Sequence, residues 1–559
     1  MKHLLTILLT TLTITTALAQ DYRWAHGFGG PTGDSQGTSI ATDANGNVYV
    51  AGTHADTIDF DPGLDTANIA PGGFIAKYDS TGLFQWAVRT AYNSYSTLSI
   101  AVNATGVYAT GCFNGTFDFD PSPAVVNLTA NWADIFLIKF DLNGNFVWVK
   151  QMGGTDTDAP NSIAIDDLGN SYITGYFKDT IADFDPGTGI ANVIAHGVYN
   201  IFCAKYDING NYQWAFGFGE GTFFNSGGSI AVDLTGIVVS GSFTDTLDFD
   251  PNLGTSLLYP TNGGMFLAKY DINGNYSWAF GINASCSSVA IEKTTSNLII
   301  TGGFGGTVDF DPGTATANYT ASPIGSFYFA KYDMNGNFFV NKQINGISGG
   351  SGSKIKKITY DLSGNILLTG GFSGSADFDP GIGIVSLTAA ANLTDIFLAK
   401  YDNAGNYLEA MSIGGVYSDQ SSSIAIDSLG NHYITGFFTN AVDFDPGPGN
   451  ATLFPATAEN IFIAKYSSTL TNVNNLFGSN NADLSIYPNP ASDFVGAALP
   501  KTPNEILSLQ ITDVTGRTVV NNSEYNSNKK IDISMLNPGV YILTLKTNTT
   551  TLSKLFIKQ

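Results

Sequence analysis

The chain has 559 residues, a formal net charge of −23 and only 13% charged residues. So acidic a balance excludes nucleic acid and anionic membrane surfaces as partners, because both demand clustered Lys and Arg. The carboxylates are almost all aspartate, which places them in turns and motifs, where Asp is favoured over Glu.

In chain order, the first element is an export signal. Lys2 and His3 precede an apolar, Thr-rich stretch from Leu4 to Leu18, and Ala17-Leu18-Ala19 forms an A-x-A cleavage site. Residues 1–19 are expected to be removed. No later segment approaches the roughly 20 apolar residues of a membrane span, so no transmembrane segment is expected once the signal is cleaved.

Residues 20–466 are organised by seven copies of Asp-Phe-Asp-Pro, beginning at Asp59, Asp118, Asp183, Asp248, Asp309, Asp377 and Asp443, at intervals of 59, 65, 65, 61, 68 and 66 residues. Units on this scale cannot bury both faces alone and must stack or close into a ring. The third repeat reads as four strands: a from Ser162 to Asp166, b from Ser171 to Gly175, c from Phe202 to Tyr206 and d from Tyr212 to Ala215. Tight turns join a to b (Asp43 to Asn47, Asp166 to Asn170, Asp361 to Asn365, Asp427 to Asn431) and c to d (Asp207 to Asn211), with Gly supplying the left-handed residue. The Asp-x-Asn-x-Asn spacing mimics the start of a calcium-binding helix-loop-helix loop. That reading fails because position six is Phe146, Tyr212, Tyr276 or Phe338 instead of Gly. The long b-to-c and d-to-a connections must emerge together at the opposite end, where function is expected.

The ends of the array complement each other. The last repeat has strands a, b and c but runs into Ser467-Ser468-Thr469 without a d strand, while Tyr22 to Gly29 matches the d strand Tyr212 to Gly219 and has no a, b or c before it. A ring in which the N-terminal strand completes the last blade explains both. The repeat resembles the bacterial seven-bladed β-propeller repeat family, whose Ile-Ala-x-Asp-x-x-Gly-Asn-x-Tyr-x-Thr-Gly core stands most fully at Ile163 to Gly175 and Ile424 to Gly436. The expected fold is therefore all-β, a seven-bladed propeller of four-stranded blades closed by the N-terminal strand. That family has no single activity, so the resemblance implies no catalytic residues.

Within each Asp-Phe-Asp-Pro the two carboxylates point to one side and the Phe to the other. Lys77, Lys139, Lys205, Lys269, Lys331, Lys400 and Lys465 recur at one position of strand c. The expectation is a clasp in which each Lys neutralises its motif. The alternative is calcium, held by Asp59, Asp61, Asp118, Asp120, Asp183, Asp185, Asp248, Asp250, Asp309, Asp311, Asp377, Asp379, Asp443 and Asp445. No other cofactor is expected. His3, His26, His54, His196 and His432 are scattered without metal-ligand spacing. Cys112, Cys203 and Cys286 fall in different repeats at different positions, so no repeated disulfide framework is expected, and Cys203, in a slot filled elsewhere by Ile75, Leu137, Leu267 and Leu398, reads as a small core residue. Trp24, Trp86, Trp148, Trp214 and Trp278 share one slot of strand d, filled by Val340 and Glu409 in the other two repeats, and read as packing. Aromatics of the long loops, Tyr92, Tyr95, Trp132, Tyr199, Phe223, Phe224, Tyr259 and Tyr417, are better placed to touch a ligand.

Residues 467–483 form an Asn- and Ser-rich linker, and 484–559 alternate as a small β-sandwich. That module resembles the C-terminal sorting domain of the type IX secretion system of Bacteroidota, through Tyr487-Pro488-Asn489-Pro490, Asp513-Val514-Thr515-Gly516-Arg517, Leu536-Asn537-Pro538-Gly539 and Lys554-Leu555-Phe556-Ile557-Lys558. The resemblance implies passage through the periplasm and engagement of the outer-membrane translocon, then release or attachment at the cell surface. An extracellular glycan or protein is the expected ligand. The favoured function is a non-catalytic binding or adhesion module; the alternative is a carbohydrate-active enzyme, a glycosidase or polysaccharide lyase, with paired carboxylates in a central depression.

Overall fold

The computed structural model describes residues 21–558 except 93–96, 179–180, 222–223, 253, 261–263, 346–352, 456–458, 468–484, 488–490, 499–505, 514–517, 523–529, 538 and 548–550. The expected signal segment, most of the expected linker, Tyr95 and Phe223 lie outside the described residues. The chain divides into two compact units, Met1–Thr469 and Leu470–Gln559.

Among the described residues the first unit is all-β and contains seven four-stranded antiparallel sheets in which a, b, c and d are hydrogen-bonded in sequence order. Their a strands are Ser35–Thr42, Ser99–Asn103, Asp158–Ile165, Ser226–Asp233, Ser288–Ile291, Lys354–Tyr360 and Gln420–Ile426. The third sheet continues with Ser171–Phe177, Asn200–Tyr206 and Tyr212–Phe218. In the seventh, His432–Phe438 and Asn460–Ser467 follow strand a, and the fourth place is taken by Asp21–Phe28 from the other end of the chain. Its register runs from Asp21 opposite Ser467 to Phe28 opposite Ile461, so this pairing is the one the missing d strand called for.

Neighbouring sheets meet along their a strands. Ile100 N–H donates to Ser39 Oγ at 3.2 Å, Ile230 N–H to Ser162 Oγ at 3.3 Å and Val289 N–H to Ser229 Oγ at 3.2 Å. The same bond joins the first sheet to the seventh, from Ile40 N–H to Ser423 Oγ at 3.4 Å. The core lies between sheets: Tyr108, Leu137 and Met152 of the second pack with Ile173, Phe184 and Phe202 of the third.

The long b-to-c connections carry strands of their own. Each forms a two-stranded hairpin, Ile181–Asp183 with Asn192–Ile194 in the third repeat, and each carries the Asp-Phe-Asp-Pro motif at its tip. The hairpin folds back over the sheet, because the motif Phe is an apolar side chain that must find cover: Phe60, Phe184, Phe249, Phe310, Phe378 and Phe444 are fully buried, each worth roughly 1.5–3 kcal/mol of transfer free energy.

In the second unit, the three-stranded sheet Ser485–Tyr487, Phe494–Ala498 and Ile531–Asp532 shares one core with the four-stranded sheet Thr518–Asn522, Ile506–Asp513, Gly539–Thr547 and Thr551–Lys558. Val495 and Ile531 come from the first sheet, and Leu509, Leu543 and Phe556 from the second.

Candidate functional site

The motif carboxylates are hydrogen-bonded to backbone amides. Asp59 Oδ1 accepts the N–H groups of Asp61 and Ala67 at 3.0 and 2.7 Å, and Asp61 Oδ1 accepts that of Gly63 at 2.7 Å. The pattern recurs in all seven repeats, for example Asp183 with Asp185 and Ala191, and Asp185 with Gly187. The first Asp of each pair pins the two arms of the hairpin together, and the second fixes the turn that follows Pro. The motif backbone is tied to strand c by Tyr78, whose hydroxyl donates to the Phe60 carbonyl at 2.8 Å, a bond repeated by Tyr206, Tyr270, Tyr332, Tyr401 and Tyr466.

The expected Lys clasp does not form, and strand geometry gives the reason. Successive strand residues face opposite sides; Tyr78 faces the motif, so its neighbour Lys77 faces away. Lys77 Nζ donates instead to the carbonyl of Leu142, in the c-to-d turn of the next sheet, at 2.8 Å. Trp86 Nε1 donates to the same carbonyl at 3.3 Å. The pair recurs as Lys139 and Trp148 on Ile208, Lys205 and Trp214 on Ile272, Lys269 and Trp278 on Met334, and Lys465 and Trp24 on Ser80. Lys and Trp together form a latch between adjacent sheets. The receiving turn needs its Gly twice over: Gly144 has φ +84°, and a Cβ there would lie 2.7 Å from the Trp86 ring.

The tight turns are Asx turns. Asp141 Oδ1 accepts the N–H groups of Asn143 and Asn145, and its Oδ2 accepts the Asn145 amide. Burial works against ionisation there, but these hydrogen bonds outweigh it and hold the carboxyl below its usual range. Burial pushes the thiol of Cys203 up to about 12 and that of Cys286 up to about 11, away from the thiolate a nucleophile needs. His432 is buried, and burial lowers it to about 3.

A cleft of about 430 Å³ opens where loops of the second and third sheets meet, lined by Trp132, Thr155, Asp156, Thr157, Tyr176, Lys178 and Tyr199. The b-to-c loop of the second sheet supplies Trp132 and the d-to-a loop between the two sheets supplies Asp156. These loops are locked to each other: Ala133 N–H donates to Asp156 O at 3.3 Å, Asp158 N–H to Ala133 O at 2.8 Å, and Asn131 Nδ2 to Gly154 O at 2.8 Å. Long connections of both kinds therefore share one end, as expected. Tyr176, Tyr199 and Phe224 form an aromatic triad with ring centroids 4.9–5.8 Å apart. Lys178 Nζ stands 5.8 Å from the Tyr199 ring centroid and 3.5 Å from Asp156 Oδ1. Trp132 is 59% exposed at the edge.

Of the loop aromatics singled out in the sequence, Trp132, Tyr199 and Phe224 converge here; Tyr92, Tyr259 and Tyr417 are exposed and line no part of this cleft. Tyr176, Lys178 and Asp156 were missed. The signal was present: the residue after the core Gly is Thr53, Cys112, Tyr176, Ser242, Gly303, Gly371 or Phe437, a freely varying position inside an otherwise strict pattern.

Residues 485–559 match the family model described as the secretion system C-terminal sorting domain, and residues 23–53 and 147–176 match the beta-propeller repeat model. Each matched repeat segment runs from a d strand into the a and b strands of the following sheet. The uncharacterized WD repeat-containing protein L264 of Acanthamoeba polyphaga mimivirus is 25% identical over 497 residues, 73% of this chain and 35% of that protein, so the chain spans about a third of that relative. Among solved structures, a protein of unknown function from Dyadobacter fermentans is 8% identical (TM-score 0.34, covering 81% of this chain and 98% of the other), and Sqt1 from Chaetomium thermophilum is 11% identical (TM-score 0.34, 81% and 100%). With strand-rich repeats in front and a sorting module behind, the chain carries β-propeller repeats joined to a type IX secretion system C-terminal sorting domain, and it is secreted or displayed at the cell surface.

Proposed function

We propose that residues 20–466 form a seven-bladed β-propeller closed by the N-terminal strand, that 467–483 link it to a sorting domain at 484–559 that engages the outer-membrane translocon, and that the propeller is a non-catalytic binding or adhesion module gripping an extracellular glycan. Support for a closed ring comes from the bonds between the first and seventh sheets: Ile40 to Ser423, Thr42 Oγ1 to Ile426 O at 2.8 Å, and Lys465 to Ser80 at 2.7 Å. The Asp-Phe-Asp-Pro carboxylates take a scaffold role in this reading.

The observation that carries the binding role is the cleft, which gathers aromatic faces, hydroxyls and one ion pair from two adjacent sheets at positions where the other repeats carry different residues. Flat aromatic faces stack on the apolar faces of sugar rings, while Thr155, Thr157, Asp156 and Lys178 offer the donors and acceptors that sugar hydroxyls require. Among the lining residues only Asp156 is a carboxylate, where glycosidase chemistry takes two. A glycan array probed with the secreted protein tests the reading. Trp132→Ala and Tyr199→Ala should each weaken the strongest array signal by about tenfold, equivalent to about 1.4 kcal/mol, with the melting temperature unchanged. Release of shortened sugars from a polysaccharide panel would show that the cleft belongs to an enzyme.

A further inference from the structure

Six Asn-Gly pairs lie wholly within the described residues, and the fold treats one of them differently from the rest. Asn45-Gly46, Asn143-Gly144, Asn209-Gly210, Asn273-Gly274 and Asn335-Gly336 sit in the tight Asx turns, where the Gly N–H donates to the carbonyl of the leading Asp: Gly46 to Asp43 at 3.0 Å, Gly144 to Asp141 at 3.1 Å, Gly210 to Asp207 at 2.8 Å, and Gly274 to Asp271 and Gly336 to Asp333 at 3.0 Å. The N–H of each Asn is held as well, by Oδ1 of the same Asp.

Asn114-Gly115 lies outside any such turn. It joins strand b of the second sheet, Gly106–Phe113, to the hairpin strand Thr116–Asp118, and both residues are exposed. The Gly115 N–H has no hydrogen bond among the described residues. Nothing lies within 4 Å of where a Cβ of Gly115 would stand, whereas at Gly144 the Trp86 ring is 2.7 Å away. In place of Asn114 the other repeats carry Ala55, Lys178, Thr244, Gly305, Ser373 or Thr439, so the unguarded pair belongs to the second repeat alone. Its surroundings give it a consequence. Phe113 pairs with Asp134 and Thr116 with Thr129, so the two-residue connection faces the loop 130–133 that carries Trp132, and Gly115 O accepts the Ala130 N–H at 2.9 Å.

An exposed Asn followed by Gly carries its own nucleophile, because the backbone N of Gly has no side chain beside it to hinder approach and is tethered within reach of the Asn Cγ. We propose that Asn114 is a self-modifying site whose conversion frees the loop of Trp132. Gly115 N bonds to Asn114 Cγ while the side-chain amide nitrogen takes up the Gly115 proton and leaves as ammonia. Water then opens the resulting succinimide at either carbonyl, giving aspartate or isoaspartate. The isoaspartyl product routes the main chain through Cβ and Cγ of residue 114, which lengthens the connection by one atom and leaves a carboxylate at the bend. The pairings on its two sides, Phe113 with Asp134 and Thr116 with Thr129, then fall out of phase across the connection, and the bond from Ala130 to Gly115 is lost. In the Asx turns the same chemistry must first break the Gly N–H bond and open the turn, which slows it by about tenfold or more.

For the test, the mature secreted protein is aged at mildly alkaline pH, where loss of the amide proton speeds the attack, and then mapped by peptide mass spectrometry with isoaspartyl-specific methylation. Asn114 should convert about tenfold faster than Asn143, Asn209 or Asn273. In hydrogen exchange, the Ala130 amide of the aged protein should lose about tenfold or more of the protection it has in fresh protein. Aged Asn114→Ser, which takes the residue that the sixth sheet has at this place, Ser373, should keep that protection; should the variant not fold, Asn114→Gln is read the same way. Conversion of Asn114 no faster than that of the turn residues, or Ala130 protection in the converted protein equal to that in fresh protein, would overturn the proposal.

Discussion

At the scale of single residues, the Lys and Trp latch shows how one contact explains both a rule and its exceptions. In five of the six c-to-d turns a single carbonyl receives an ammonium and an indole N–H from the preceding sheet. In the fifth sheet Val340 replaces Trp, and Lys331 takes both the backbone carbonyl of Asn403 and its Oδ1. In the sixth, Glu409 replaces Trp because the seventh sheet has no c-to-d turn: its d strand comes from the far end of the chain. Lys400 pairs instead with Asp361 of its own sheet at 3.0 Å. Lys205→Met removes the bond to Ile272 and the stacking of the ammonium 5.2 Å over Tyr172, and should cost about 1.5 kcal/mol in urea unfolding. In double-mutant cycles it should couple to Trp214→Phe but not to Asp183→Asn. Melts of the parent with and without chelator should superimpose. Coupling to Asp183, or a melting temperature lowered by chelator, would restore the clasp or the calcium reading.

At the scale of elements, carboxylates at the two ends of the sheets titrate in opposite senses. In the c-to-d turns, Asp79, Asp141, Asp207, Asp271, Asp333 and Asp402 sit below the usual range, their hydrogen bonds overcoming burial. Their contribution is present above about pH 4 and is lost as pH falls below it. At the other end, strand c of the sixth sheet, Asp395–Tyr401, begins with a buried carboxyl, and Asp419 lies just before strand a of the seventh. Burial raises Asp395 to about 6; burial, then the Asp395 charge, raises Asp419 to about 7. These two stay protonated in the fold where the unfolded chain has already ionised, so the stability they bring is full below about pH 4 and is lost as pH rises through 6 to 7. The melting temperature should therefore fall between pH 5 and 8. Asp395→Asn should flatten that slope, since Asn200 already fills the equivalent place in the third sheet. An unchanged slope would assign the titration to other groups.

At the scale of the whole chain, the N-terminal strand matters more than its eight residues suggest. Asp21–Phe28 covers the edge of Asn460–Ser467, and its Trp24 and His26 reach the first sheet at Ser80 and Gly82. Deleting it should bare a sheet edge and drive association, seen as loss of monomer in size-exclusion chromatography; a monomeric deletion with unchanged melting would remove the strand from the closure. This pairing was legible in the sequence, because a strand lacking three partners at one end and a sheet lacking one at the other are complementary patterns. So were the four strands per repeat, the Asx turns, the buried motif Phe and the sorting module, all of which rest on short-range chemistry written in consecutive residues. Tertiary structure alone decided which neighbour each face meets. Period-two alternation puts Lys77 and Tyr78 on opposite sides of a strand, but it does not say which side the hairpin covers, and so the lysines met the next sheet instead of their own motif. The cleft of Trp132, Asp156, Tyr176 and Tyr199 arises from loops and strands of different repeats converging in space, and its residues are ones that depart from the repeat, where local pattern carries no instruction.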